Sequence, residues 1–262
     1  MTERMQPQSQ SCPVEASQGA YDDDFFSYTT RVSSVSAKAI IPVVRNAIGD
    51  INSVLDLGCA WGAWLRNWRD AGVEDVFGLD GDHVDPAALL IPKERFRAHD
   101  LNEPVDLGRR FDLAQCLEVA EHLYPAGGVA VVNVLTRHAD RVLFSAAPPG
   151  QGGEHHVNEQ PYDYWRRLFK ERGFHAYDCL RPRIRDMKQI SYWYRYNLLL
   201  FVKEGAETSL RPEALATRIP DGSTVPDISP PHFRLRKSLV RLLPRTVEDR
   251  IARAKAALLS RP

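Results

Sequence analysis

Short apolar runs alternate with helical stretches between residues 53 and 204, and that alternation leaves few folds open. "SVLDLG", "DVFGLD", "RFRAHD", "FDLAQCLEV" and "RVLFSAAP" read as strands, rich in Val, Leu and Phe and too short to be helices. "WGAWLRNWRDAG", "GGVAVVNVLTRHA" and "QPYDYWRRLFKERGF" carry helical spacing, the first and last stopped by Gly72 and Gly173. Buried strands separated by helices of about 10–15 residues form a parallel sheet covered on both faces. Two late strands, "HAYDCLRPRI" and "YNLLLFVK", have no clear helix between them, which predicts an antiparallel hairpin at the sheet edge.

The predicted fold class is therefore α/β: a Rossmann-like, seven-stranded, mostly parallel sheet with helices on both faces and a closing antiparallel hairpin. Around it the chain divides by composition. Residues 1–20, rich in Gln, Ser and Pro, predict a disordered N-terminus. Residues 21–50 predict a helical segment with Ile40, Ile41, Val44 and Ile48 on one face; it is either a lid over the site or a capped helix. The enzyme-sized domain spans 51–204. A Pro-rich linker is expected over 205–231 and a basic helical tail over 232–262.

Charge separates body from tail. The net charge is zero, yet residues 232–262 hold nine Lys or Arg against two acids, so the remainder carries a net of −7. A body of that sign offers no groove for nucleic acid. In the tail, Thr246 caps toward Asp249, and Val247, Ile251, Ala254 and Leu258 form one stripe, with Leu239, Leu242 and Leu243 ahead of it. Such a tail packs, meets a partner subunit as in a homodimer, lies on an anionic membrane or hangs free; packing or a partner is expected ahead of the membrane. Cys12, Cys59, Cys116 and Cys179 are scattered singly, and the polar N-terminus lacks the apolar core of a secretory signal. Both features suit a reducing cytoplasm.

"VLDLGCAWGAWL" (54–65) joins the first strand to the first helix through small residues, where backbone can approach a ligand and helix N–H groups face it. A dinucleotide fingerprint would place glycines at 58, 60 and 63; the chain has Gly58, Ala60 and Ala63. Asp56 inside the motif would repel a pyrophosphate and suits a cationic ligand. Asp80, ending the second strand, can accept both hydroxyls of a ribose. Asp100 ends the third strand, where an acid commonly takes an adenine amino group.

"VLDLGCAWG", "GLD", "AHDLN" and "FDLAQCLEVAEHL", in that order and with a closing hairpin, resemble the class I S-adenosylmethionine-dependent methyltransferases over residues 51–204. The resemblance implies that Asp56, Gly58 and Gly62 contact the methionine part of the cofactor, Asp80 the ribose, and Asp100 and Leu101 the adenine. Leu117, at the end of the fourth strand, joins the cofactor set. Ala60 replaces the usual second glycine, leaving less room for the cofactor.

At the other end of the site, "LEVAEHL" puts Glu118, Glu121 and His122 at i, i+3 and i+4, on one face if the chain turns helical there. Many methyltransferases carry this Glu-x-x-Glu-His run with the histidine packed beneath the cofactor and no metal. The loop after the fifth strand, "GGEHHVNEQ" (152–160), overhangs the same mouth, so His155 or His156 could complete a site with two carboxylates and two imidazoles. The set Glu118, Glu121, His122 and His156 resembles the metal sites of small-RNA 2′-O-methyltransferases and ubiquinone-biosynthesis O-methyltransferases. By that likeness His156 aligns with the common histidine ahead of His155. Carboxylates suit Mg²⁺, and the imidazoles draw the choice toward Mn²⁺ or a softer ion.

His156, His155 and Glu118 are thus the candidate catalytic residues for deprotonating a hydroxyl. No Asn-Pro-Pro-aromatic run for an exocyclic amine is present, and Cys116 follows Gln115, without the Pro-Cys of pyrimidine attack. The expected acceptor is oxygen on a small molecule or saccharide. An N-methyltransferase working without metal and a non-catalytic cofactor-binding scaffold are the rivals. Tyr192, Trp193, Tyr194 and Tyr196 in "SYWYRYN" are either strand packing or a stacking wall for a sugar.

Overall fold

The computed structural model describes residues 23–243. The expected disorder of 1–20, the first two residues of the helical segment and the tail from Pro244, including its Thr246 cap and apolar stripe, lie outside the described residues. Parallel strands β1 (Ser53–Leu57), β2 (Asp75–Asp80), β3 (Phe96–Ala98), β4 (Leu113–Leu117) and β5 (Arg141–Ser145) form most of one sheet. With β6 (Phe174–Tyr177) and β7 (Leu199–Lys203) its order is β3-β2-β1-β4-β5-β7-β6. The seven-stranded, mostly parallel sheet expected from the sequence is present.

The closing hairpin is present too, with a twist in order. β7 runs antiparallel to both β5 and β6 and lies between them, so β6 takes the edge. The more apolar strand is the inner one: Leu199 to Val202 are all buried, whereas His175 of β6 is only half-buried. The expectation of no clear helix between these strands fails. Two short helices, α5 (Arg181–Ile184) and α6 (Tyr192–Asn197), fill the connection. The aromatic run is therefore helical; its Tyr194, Tyr196 and Asn197 are buried against the domain, a helix-like spacing that alternation would not produce.

Helices cover the two faces with separate cores. On one side α1 (Asp23–Ile48) and α2 (Ala63–Asp70) pack around Trp68, with Ile40, Ile41, Val44 and Ile48 buried as the sequence spacing predicts. The second half of α1 is thus a wall of the domain. On the other side α3 (Pro125–His138) and α4 (Tyr162–Lys170) pack around Trp165, Phe169 and Phe201. Residues 205–231 lie along the body. Leu210, Ala214 of α7 (Pro212–Leu215), Ile219 and Val225 are buried, and Arg211 and Ile219 donate backbone hydrogen bonds to Ala47 and Ala176 at 2.9 Å. α8 (Pro231–Val240) follows. No described helix is long and apolar enough to cross a membrane.

Candidate active site

The strand order reverses between β1 and β4, and in open α/β sheets ligands bind at the carboxyl ends of strands beside such a point. The turn after β1 is built for close approach. Gly58 and Gly62 have φ of 79° and 83°, and a Cβ on Gly58 would overlap the Val119 side chain. Ala60 also sits in the left-handed region, at φ 47°, a conformation disfavoured for a residue with a Cβ. Asp80 holds it there: one carboxylate oxygen accepts from Ala60 N–H at 2.6 Å, the other from Gly81 N–H at 2.7 Å. Asp56, Gly58, Ala60, Gly62 and Asp80 thus share one cradle at the sheet's end. Asp100 is exposed at its rim, one oxygen accepting from the backbone and side chain of Asn102, while Leu101 is buried beside it. Leu117 ends β4 in the floor of the mouth.

At the reacting end "LEVAEHL" does not turn helical. Glu118 enters the left-handed region, at φ 59°, and a short turn follows, closed by His122 N–H donating to Val119 C=O at 3.0 Å. The expected common face for Glu118, Glu121 and His122 is therefore lost. The Glu118 carboxylate turns to Gln151 and Asn197, whose amide groups donate to it at 2.8 and 3.0 Å. Gln151 and Asn197 also bond each other, and Tyr162 donates to Asn197 at 2.8 Å.

Glu121, His122 and His156 do converge, with one potential ligand atom of each within 4.8 Å of the others. Glu121 is 1 % exposed, and neither carboxylate oxygen has a hydrogen-bond partner. The N–H groups of Glu121 and Ala147 favour its charged form from nearby but make no bond of ordinary geometry. The Glu121 carbonyl accepts from Val157 and Asn158 N–H, both at 2.9 Å, which ties the turn after β4 to the loop after β5. The His122 and His156 rings meet edge to face, with centroids 4.8 Å apart. His156 Nδ1 lies 2.8 Å from Glu159 Oε1, so an Nδ1–H donates to that carboxylate and the lone pair falls on Nε2. Gly153 must be glycine, because a Cβ would overlap the His156 ring. His155 is left outside the group, its side chain 33 % exposed and beside Glu154.

The mouth is lined by acids that burial makes reluctant to ionise. Burial pushes Asp56 up to about 8, against the pull of the neighbouring Gln115 side chain and helped by Asp80. Burial also raises Asp80, Glu118 and Glu121, the last further by the Glu118 charge. No described Lys or Arg sets the ionisation of Asp56, Asp80, Glu118 or Glu121. Burial, then the nearby His156 and His155, lower His122 to about 3, so its ring is neutral. Glu159 differs: burial pushes it up, but His156 and the Gly150 and Gly152 N–H groups outweigh burial and hold it low. Among these acids Glu121, with neither carboxylate oxygen partnered, is the one that calls for a ligand.

Known proteins share the fold. Residues 34–128 match the sequence family described as a methyltransferase domain. The sugar N-methyltransferase KedS8 from Streptoalloteichus sp ATCC 53650 has a similar structure, with a TM-score of 0.55 and 17 % identity over 77 % of this chain and 99 % of that one. A candidate O-methyltransferase from Nostoc punctiforme PCC 73102 aligns with a TM-score of 0.52 and 14 % identity, over 68 % and 59 % of the two chains. At such identities these likenesses speak for the fold. No curated protein matches the sequence.

Sequence reasoning missed four residues of this candidate site. Glu159 stands three residues after His156 in the stretch that drew attention, and that spacing was the available signal. Gly153 was a second, since a paired glycine before a histidine often makes room for its ring. Gln151 and Asn197 gave none, being 46 residues apart and joined only by the fold.

Proposed function

We propose that this methyltransferase moves a methyl group from S-adenosylmethionine to a hydroxyl of a small molecule or saccharide, with a divalent cation at Glu121, His122 and His156. The observation that carries this reading is the convergence of two imidazoles on a buried carboxylate that has no partner of its own. An orphaned buried carboxylate asks for a ligand, and the donor set fits a metal ion. One carboxylate and two imidazoles suit Mn²⁺ or a softer ion better than Mg²⁺. When bound, such an ion lowers the pKa of an adjacent hydroxyl.

The chain's own residues supply position and proton transfer. Asp56 and Asp80 draw the cationic, ribose-bearing cofactor into the cradle of Gly58, Ala60 and Gly62, with Asp100, Leu101 and Leu117 along its length. A sulfonium methyl then needs an in-line oxygen about 3 Å away, so positioning accounts for much of the rate. His156, fixed through Nδ1 by Glu159, offers Nε2 either as ligand or as acceptor of the hydroxyl proton. Glu118, held by Gln151 and Asn197, walls the acceptor side and orders it. His155 stands at the rim.

The test is methyl transfer from labelled cofactor into extracts of the native host, with and without chelator. EDTA should suppress transfer, and Mn²⁺ should restore it. Undiminished transfer in EDTA would point to a metal-free enzyme, with nitrogen acceptors the first to try. Cofactor binding without transfer to any acceptor would leave a scaffold protein.

A further inference from the structure

We infer that α8 and the Arg241 that caps it are a working part of the active site, with Arg236 and Arg241 as positioning residues for the loop that presents His156. The inference rests on the reading of His156 as a reacting or ligating group. Two peptide groups of that loop are each held at both ends. In the Pro149–Gly150 peptide the carbonyl accepts from Arg241 Nε at 2.8 Å, and the N–H donates to Glu159 at 2.6 Å. In the Gln151–Gly152 peptide the carbonyl accepts from Arg236 Nη1 at 3.0 Å, and the N–H donates to Glu159 at 2.7 Å. The carboxylate at the centre of this clamp is the one that bonds His156 Nδ1. The Gln151 side chain between the two peptides is the one that bonds Glu118. Movement of α8 would therefore reach both sides of the mouth.

The orientation of α8 argues that the clamp, rather than apolar burial, chooses how it docks. Leu235, Leu239 and Leu242 point outward, with relative exposures of 62 %, 57 % and 80 %, while Lys237 is the buried residue of the helix. An amphipathic helix docked for hydrophobic burial would turn its leucines inward. Here Lys237 pairs with Asp227, Phe233 packs on the rings of Tyr192 and Tyr196, and the two arginines reach the loop carbonyls. Gly150 completes the fit: a Cβ there would overlap the Lys237 carbonyl. The loop backbone and the helix backbone lie against each other with no side chain between them.

Hydrogen exchange on the full chain tests the clamp without needing metal or acceptor, so its failure is distinct from failure of the proposed reaction. In the Arg236→Ala/Arg241→Ala double variant the Gly150 and Gly152 amides should exchange at least about tenfold faster, while β1, β4 and β5 keep their protection. Turnover should fall by about 10- to 100-fold in kcat, with KM for the cofactor unchanged, as for a reacting group misplaced by about 1 Å. Arg236→Lys/Arg241→Lys should recover most of both effects, because an ammonium can still donate to a carbonyl. Wild-type protection of Gly150 and Gly152 in the alanine variant would make α8 an appendage and overturn the inference. So would a loop that loosens while kcat holds, or a loss that lysine does not repair and cofactor affinity shares.

Discussion

The cofactor end and the reacting end of this mouth are made in different ways. The cradle that holds Gly58, Ala60, Gly62 and Asp80 comes from one stretch of chain, a strand, a turn, a helix and the next strand. Its defining bond joins residues 20 apart. The reacting end is assembled from the turn at 118–122, the loop at 150–159, the last residue of α6 and the last described helix. Its defining bonds join residues 79 and 85 apart. On the proposed reading, backbone geometry and two carboxylates receive the cofactor, whereas the proton acceptor and metal ligands are oriented by residues that only the folded chain brings near. The comparison implies that damage to the first end weakens binding, and damage to the second slows the reaction.

His156→Ala tests that division most severely. Turnover should drop by about 10²–10⁴, the usual worth of a positioned base, with cofactor affinity by calorimetry nearly unchanged. His155→Ala should be milder, since its ring lies outside the group. Equal losses of rate and affinity in the His156 variant would mean that the two ends are one. A chain ending at Glu204 comes next. The composition break after Gly205 predicts that it folds and binds cofactor, but Leu210, Ile219 and Val225 are buried on the body. Each such side chain stabilises by about 1.5–3 kcal/mol, partly offset by ordering entropy. A net loss of about 2–4 kcal/mol should appear in denaturant unfolding; an unmoved midpoint would restore the boundary at 204.

Asp80→Ala should weaken cofactor binding by about 1.5–3 kcal/mol through loss of a charged acceptor, and should free the Ala60 turn. Unchanged affinity would remove Asp80 from the cradle. The smallest effect, read over one pH unit, is a pH dependence. Asp56 titrates near 3.8 when unfolded and near 8 in the folded, ligand-free protein. Between those values the folded state keeps a proton that the unfolded state has released, so the free protein loses stability as pH rises through that window. A cationic cofactor wants the carboxylate, so its affinity should rise with pH toward about 8, by up to about tenfold per unit. Asp56→Asn should flatten that profile, and a profile already flat in the native chain would take Asp56 out of contact with the cationic group.

Reading along the chain reached the sheet, and it named Glu121, His122 and His156, which the fold brings near one another, because each depends on local rules. Strand and helix periods mark the alternating elements, glycine marks left-handed turns, and an acid at a strand's end faces the mouth in any parallel sheet. The same rules misjudged "LEVAEHL", where helical spacing existed but Glu118 was drawn off by Gln151 and Asn197, and "SYWYRYN", where aromatic strand propensity yielded to packing. They also ended the body at 204, though later residues bury on it. The amino-acid sequence by itself determined which strands form, that they run parallel, and which acids end them. Only the tertiary structure decided that β7 lies inside β6, that Glu159 orients His156, and that Arg236 and Arg241 reach the loop carbonyls. Those outcomes depend on pairing buried polar groups across tens of residues, and no local pattern encodes which distant partner will be near enough to satisfy them.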